Sequence, residues 1–176
     1  ESKMGHLENS LSLYRKLVDS GIHLLTVHGR TRYQKGPLTK HSDWQAIRKV
    51  VEDLGDRIPI FANGSISNMD EVKECFKATS ADGVMSSEAI LEYPALFAPP
   101  TPPKSYAQFA LEYMELCQKY PSNKGGQGSG LKCQRAHMHK TLHRYLMEDV
   151  SLRQAVCGSK SEENLVAVVK QLAAQP

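Results

Sequence analysis

Residues 58–65 read Ile58-Pro59-Ile60-Phe61-Ala62-Asn63-Gly64-Ser65, and the fold turns on how this stretch is interpreted. Ile58 to Ala62 is apolar almost without interruption, the pattern of a strand covered on both faces in a parallel sheet. The strand ends on Asn63. Gly64 removes a Cβ where a backbone has to approach a ligand. Ser67 then opens a helix with Asp70 three positions on, a start like a capping box. Strand, glycine turn and helix N-terminus in that order make a place for a phosphate, because unpaired N–H groups and the helix dipole favour an anion. An ordinary βα turn that binds nothing has the same local pattern.

Upstream of this strand, the helical spacing of Leu11, Tyr14, Leu17 and Val18 predicts a helix from Asn9 or Ser10 to Asp19, stopped by Gly21. Glu1 to His6 shows no clear pattern. Ile22 to His28 is a strand by β-branching and apolar content. Gly29 follows, then a polar loop from Arg30 to His41. Ser42 caps the next helix with Gln45 as capping-box partner, and Trp44, Ile47, Val50, Val51 and Leu54 form its buried face, with Gly55 at its end. Downstream, the helix from Ser67 to Thr79 buries Met69, Val72 and Phe76. Asp82 to Met85 is a third strand, and Ser86-Ser87-Glu88 turns into Ala89, Ile90 and Leu91.

The first hundred residues therefore alternate helix and strand, which means parallel strands with helical crossovers. Three parallel strands cannot close a barrel, and the opening helix needs a strand before it. The expectation is the back part of a larger α/β domain; a complete small three-strand domain is the alternative. Ala98 to Pro103 is proline-rich and reads as a stiff connector. Beyond it the period is purely helical. Tyr106, Phe109, Tyr113 and Leu116 mark one helix, Pro121 to Gly130 a flexible loop, Leu131 to Met147 a second helix, and Ser151–Val156 and Glu162–Ala174 two shorter ones. The expected division is an α/β part over residues 1–100 and an all-helical part over 101–176.

The 176 residues carry a net charge of +3, unevenly placed. Residues 1–103 hold 12 Lys/Arg and 13 Asp/Glu, whereas residues 104–176 hold 10 and 6. A basic second part points weakly to nucleic acid, and a solvated helix surface explains it almost as well. No apolar run is long enough to span a bilayer, and the N-terminus lacks the form of a signal peptide. The four cysteines form no CxxC and read as reduced thiols of the cytosol or nucleus.

In a parallel α/β fold, reactive groups sit at the carboxyl ends of strands. His28, Asn63 and the 86–88 backbone should face one mouth, with the consecutive turns 63–65 and 86–88 placed as a phosphate site. A strand-end histidine bonded to a neighbouring carbonyl accounts equally for His28. In the tail, Lys132, Arg135, His139, Lys140, His143 and Arg144 fall at helical spacing, either a surface for RNA phosphates or a solvated basic face. Cys133, His137, His139 and His143 lack the two clear ligand pairs of a zinc site, so no metal is expected.

Leu24-Leu-Thr-Val-His-Gly-Arg-Thr31, Gln34-Lys-Gly-Pro37, Trp44, Ile58 to Gly64, Gly83-Val-Met-Ser86 and Tyr93 to Phe97 together resemble the tRNA-dihydrouridine synthases. The likeness is nearest to the eukaryotic branch acting near the start of the D-loop. It runs from about Leu11 to Phe97 and resumes at Arg135-Ala-His-Met-His-Lys140. The resemblance implies the C-terminal part of a (β/α)8 TIM barrel that binds FMN, its sixth to eighth strands, followed by a helical domain that grips tRNA. It implies reduction of uridine to 5,6-dihydrouridine, with FMN reduced by NADPH passing hydride to C6 and a cysteine protonating C5. Carried over, His28 contacts the flavin ring region. Asn63, Gly64 and Ser65 line the phosphate end with the N–H groups of Ser87 and Glu88. Lys132, Arg135, His139 and Lys140 contact RNA, and Arg30 belongs to a matching motif and is grouped with them.

Two departures stand out. Many members carry an acidic or amide residue at the place of Ser65, and Gly-Arg at the place of Ser87-Glu88. The family's proton-donating cysteine, flavin-side lysine and ring-contacting glutamine have no counterpart here, so no cysteine of this chain is assigned the catalytic role. These 176 residues alone are expected to be inactive, and to self-associate through the face where the other strands would pack. Another FMN-dependent barrel oxidoreductase and a non-catalytic RNA-binding fragment are the competing readings.

Overall fold

The computed structural model describes residues 3–98, 104–121 and 130–174. The chain divides into two compact units, residues 1–87 and 88–176. The division falls ahead of the proline-rich stretch at which the sequence suggests one. The connector at 99–103 and the loop at 122–129 lie outside the described residues, as do the first two and last two.

The first unit is built on three parallel strands, β1 (Leu25–His28), β2 (Ile60–Asn63) and β3 (Gly83–Met85), in the order β1-β2-β3. Three helices interleave with them: α1 (Lys3–Asp19), α2 (Trp44–Leu54) and α3 (Met69–Thr79). The register sets His28 beside Asn63 and Asn63 beside Met85. Successive side chains of a strand point to opposite faces. One face presents Leu25, Val27, Ile60 and Ala62, all buried in a core with Ile47, Val50, Leu54, Val72 and Cys75 from the helices. Each large aliphatic side chain fully buried there contributes about 1.5–3 kcal/mol. The other face carries Thr26, His28, Phe61, Asn63, Gly83 and Met85, all half-buried or exposed. The apolar run at 58–62 is thus buried on one face only, against the expectation of two.

Several local expectations are corrected. α1 begins at Lys3, because Leu7 joins Leu11, Tyr14 and Val18 on the core stripe. Asp43, not Ser42, caps α2: its carboxylate accepts from Ala46 N–H. Asn68, not Ser67, caps α3, accepting from both Asp70 and Glu71 N–H. The face α3 buries is Val72, Cys75 and Thr79, while Met69 and Phe76 are exposed. The burial-seeking residues lose here because Cys75 and Thr79 lie over the sheet, where the Thr79 hydroxyl donates back to the Cys75 carbonyl.

The second unit holds α4 (Glu88–Glu92), α5 (Tyr106–Lys119), α6 (Gly130–Thr141), α7 (His143–Glu148), α8 (Val150–Gly158) and α9 (Glu162–Ala173). Its core gathers Ala107, Ala110, Met114, Met138, Leu142, Leu146, Val156, Leu165 and Val169. α5 therefore turns small residues inward, which lets α9 come close, and leaves Leu116 exposed. Tyr106 and Phe109 instead stack on Tyr93 at 5.3 and 5.2 Å. The single helix expected over 131–147 is two, broken at fully buried Leu142. No proline or glycine marks that break, and packing overrides propensity. Among the described residues, no helix is long and apolar enough to cross a membrane.

Candidate functional site

The carboxyl ends of β1 and β2 are joined by a polar cluster. Gly64 lies just past β2 with φ +106, and Ser65 follows at φ +60. A glycine accepts the first of these at little cost; the serine is over-determined by its bonds. The Ser65 hydroxyl accepts from Ser42 N–H at 2.8 Å and from Arg30 Nη2 at 3.1 Å. The Ser42 hydroxyl donates to the Asn63 carbonyl at 3.1 Å. The Trp44 indole N–H donates to the Gly64 carbonyl at 3.2 Å. Arg30 Nε donates to the Lys40 carbonyl. Two turns of chain separated in sequence by a helix and a strand are held as one piece.

Gly64 also lies against the His28 ring: a Cβ there would stand 2.8 Å from His28 Cε1 and 2.8 Å from Ser42 Oγ. Burial, and next the positive charge of Arg30, push the His28 imidazole below its ordinary value, so the neutral ring is favoured. The turn after β3 is tied in as well, since the Ser86 hydroxyl donates to the Ile66 carbonyl at 2.7 Å. The backbone N–H groups of Gly64, Ser65 and Ser87 donate to no acceptor among the described residues. Open N–H groups at a strand-end turn are donors that an anion can use. The N-terminus of α3 offers none, because Asn68 occupies its first N–H groups and Asp70 and Glu71 fill its first turn.

Of the residues singled out from sequence, His28, Arg30, Asn63, Gly64 and Ser65 come together, with Ser87 on the adjoining turn. Arg30, grouped with the RNA set from sequence, has its guanidinium in this cluster. Ser42 and Trp44 were missed as site residues: both were read as parts of α2, and the Ser-x-x-Gln pattern at 42–45 hid the better cap one residue on. Glu88 opens α4 in the second unit, where its carboxylate meets Lys140 Nζ at 3.2 Å. Of the remaining set, Lys132 is exposed and His139 stands 6.1 Å from the His143 ring. Arg135 donates through Nη1 to the carbonyls of Cys157 and Ser159, at 3.2 and 3.1 Å, a cation at the C-terminus of α8. Among the described residues, no group of three or more His, Cys, Asp or Glu is placed to hold a metal ion.

Residues 4–175 match the family model described as dihydrouridine synthase (Dus). The chain is 34% identical over 166 residues to a Mus musculus protein described as tRNA-dihydrouridine(16/17) synthase, NAD(P)(+)-like, covering 94% of this chain and 33% of that one. It is 28% identical over 173 residues to the tRNA-dihydrouridine(16/17) synthase of Schizosaccharomyces pombe, covering 94% and 43%. Over 93 residues it is 37% identical to the tRNA-dihydrouridine(20a/20b) synthase of Saccharomyces cerevisiae, covering 52% and 25%. The chain spans about a third of the length of the mouse protein it matches.

Proposed function

This chain belongs to the dihydrouridine synthase family, and on that premise we propose that its first unit holds the phosphate end of FMN while its helical unit grips tRNA, within an enzyme that reduces uridine to 5,6-dihydrouridine using NADPH. The observation that carries this reading is the joined turn at 63–65, where Arg30, Ser42 and Ser65 brace a backbone with open N–H groups at the carboxyl ends of parallel strands. The strand order runs in sequence without reversal, which supports a segment of barrel wall rather than a doubly wound sheet.

The residues present fit a flavin phosphate. The N–H groups of Gly64, Ser65 and Ser87 would bind it, and Arg30 would supply the positive charge. Bound and reduced, FMN would supply the hydride for C6 of uridine. His28, kept neutral, would sit at the ring end without adding a second charge, and Asn63 would position the turn. On the helical unit, Lys132, His139 and Lys140 lie on one side of α6, opposite its buried Gln134, Met138 and Thr141. The Lys140–Glu88 pair is exposed, worth no more than about 1 kcal/mol, and yields readily to an RNA phosphate.

The test is a titration of the chain with FMN and, in parallel, riboflavin, followed by quenching of flavin fluorescence. FMN should bind roughly tenfold tighter or better, about 1.4 kcal/mol assigned to the phosphate. Equal affinities would overturn the assignment. The 176 residues alone should show no tRNA-dependent NADPH oxidation.

A further inference from the structure

The helical unit contains a layer of reactive groups that flavin and tRNA binding do not use. α5 and α6 pack against each other, and the Tyr113 hydroxyl stands 2.5 Å from His137 Nδ1, with the rings edge to face at 5.1 Å. That contact fixes how the two helices are aligned. Cys117 lies one turn beyond Tyr113 on α5, and Cys133 one turn before His137 on α6. Residues four apart share a helix face. Each thiol therefore lies one helical turn from the Tyr113–His137 contact, on the side of its helix that carries that contact. Both are half-buried, so a small reagent reaches them. Of the other two cysteines, Cys75 is buried in the first unit and Cys157 is exposed on α8.

We propose that Cys117 and Cys133 form a reversible dithiol–disulfide pair, a modification site that takes low-molecular-weight disulfides of the glutathione type. One protein thiolate attacks a sulfur of the small disulfide, forming a mixed disulfide and expelling one small thiolate. The second protein thiolate attacks the protein sulfur of that mixed disulfide and expels the other. Two protein thiols are oxidised, one small disulfide is reduced to two thiols, and the two protons pass to the thiolates released. The new bond fastens α5 to α6 one turn from the Tyr113–His137 contact.

The test exposes the full chain to graded mixtures of reduced and oxidised glutathione, blocks free thiols, and maps peptides by mass. The expected product lacks two hydrogen masses and joins the Cys117 and Cys133 peptides in large excess over any other pairing. The same oxidation in denaturing urea is the control. There, loop length alone favours 117–133 over 133–157 by only roughly twofold. A Cys75→Ser/Cys157→Ser variant should retain the bond, and Cys117→Ser should stop at the mixed disulfide on Cys133. Accumulation of mixed disulfides in the unaltered chain, bonds to Cys75 or Cys157, or a native preference no greater than that in urea would each overturn the proposal.

Discussion

Replacing Gly64 by alanine tests the architecture of the strand-end cluster directly. The backbone there has φ +106, beyond the left-handed region that L-residues tolerate, which costs at least about 1–2 kcal/mol. The added Cβ also meets His28 Cε1 and Ser42 Oγ at 2.8 Å and His28 Nδ1 at 3.0 Å. Ser42 is buried and bonded to Asn63, so it cannot simply swing away, and forced repacking costs about 1–3 kcal/mol more. Together the loss is about 2–5 kcal/mol. Urea unfolding followed by the fluorescence of Trp44, the single tryptophan and itself bonded to the Gly64 carbonyl, reads this unit. With a slope of about 2 kcal/mol per molar, the midpoint should fall by roughly 1–2.5 M. Gly21→Ala separates the two contributions: Gly21 has φ +92 but nothing within 4 Å of its Cβ position, so only the backbone cost applies. A Gly64→Ala midpoint shift below about 0.3 M, or one no larger than that of Gly21→Ala, would refute the reasoning.

Three further outcomes follow from the same coordinates. His28 has a folded-state value below its ordinary 6.5, so the unfolded chain binds the proton more readily; stability therefore rises with pH across the window between the lowered value and 6.5 and is lost on acidification through it. Arg30→Gln should raise the His28 value and narrow that window, read by NMR titration of the imidazole Cε1 proton, and a His28 titration at or above 6.5 in the unaltered chain would contradict this. Asn68→Ala removes the acceptor for two N–H groups and should cost about 1 kcal/mol in urea unfolding, whereas Ser67→Ala should cost less than half of that if Asn68 is the cap. Lys132→Glu should weaken tRNA binding and lower the slope of log affinity against log salt by about 1 in a filter-binding assay, and an unchanged slope would remove Lys132 from the contact.

The order of elements was legible because each strand is a short apolar run and each helix a 3.6-residue stripe. Asn63-Gly64 was legible as the end of a strand because nothing after it continues the β pattern. What escaped was choice between neighbours. Ser42-Asp43 and Ser67-Asn68 each offer two capping residues in a row, and in both pairs the second is the one used. On α3 and α5 the aromatic side chains were expected inside, yet Cys75 and Thr79 are buried beside Val72 on α3, and Ala107 and Ala110 beside Met114 on α5. Close approach of a helix to its neighbour selects small residues, and that requirement is tertiary. The Arg30–Ser65–Ser42 network joins residues 35 positions apart and leaves no periodic trace in the sequence.

Among the described residues, the hydrogen-bond partners of the Arg30 side chain are neutral oxygens: a main-chain carbonyl at Lys40 and a hydroxyl at Ser65. A carboxylate at position 65 would cancel most of the guanidinium field where it stands. With serine there, no carboxylate offsets the guanidinium charge at that position, and a phosphate held as proposed would meet that charge. At the proposed phosphate site, position 65 would set the strength of electrostatic capture: Ser65→Asp should loosen FMN binding relative to riboflavin while leaving the guanidinium better anchored than before.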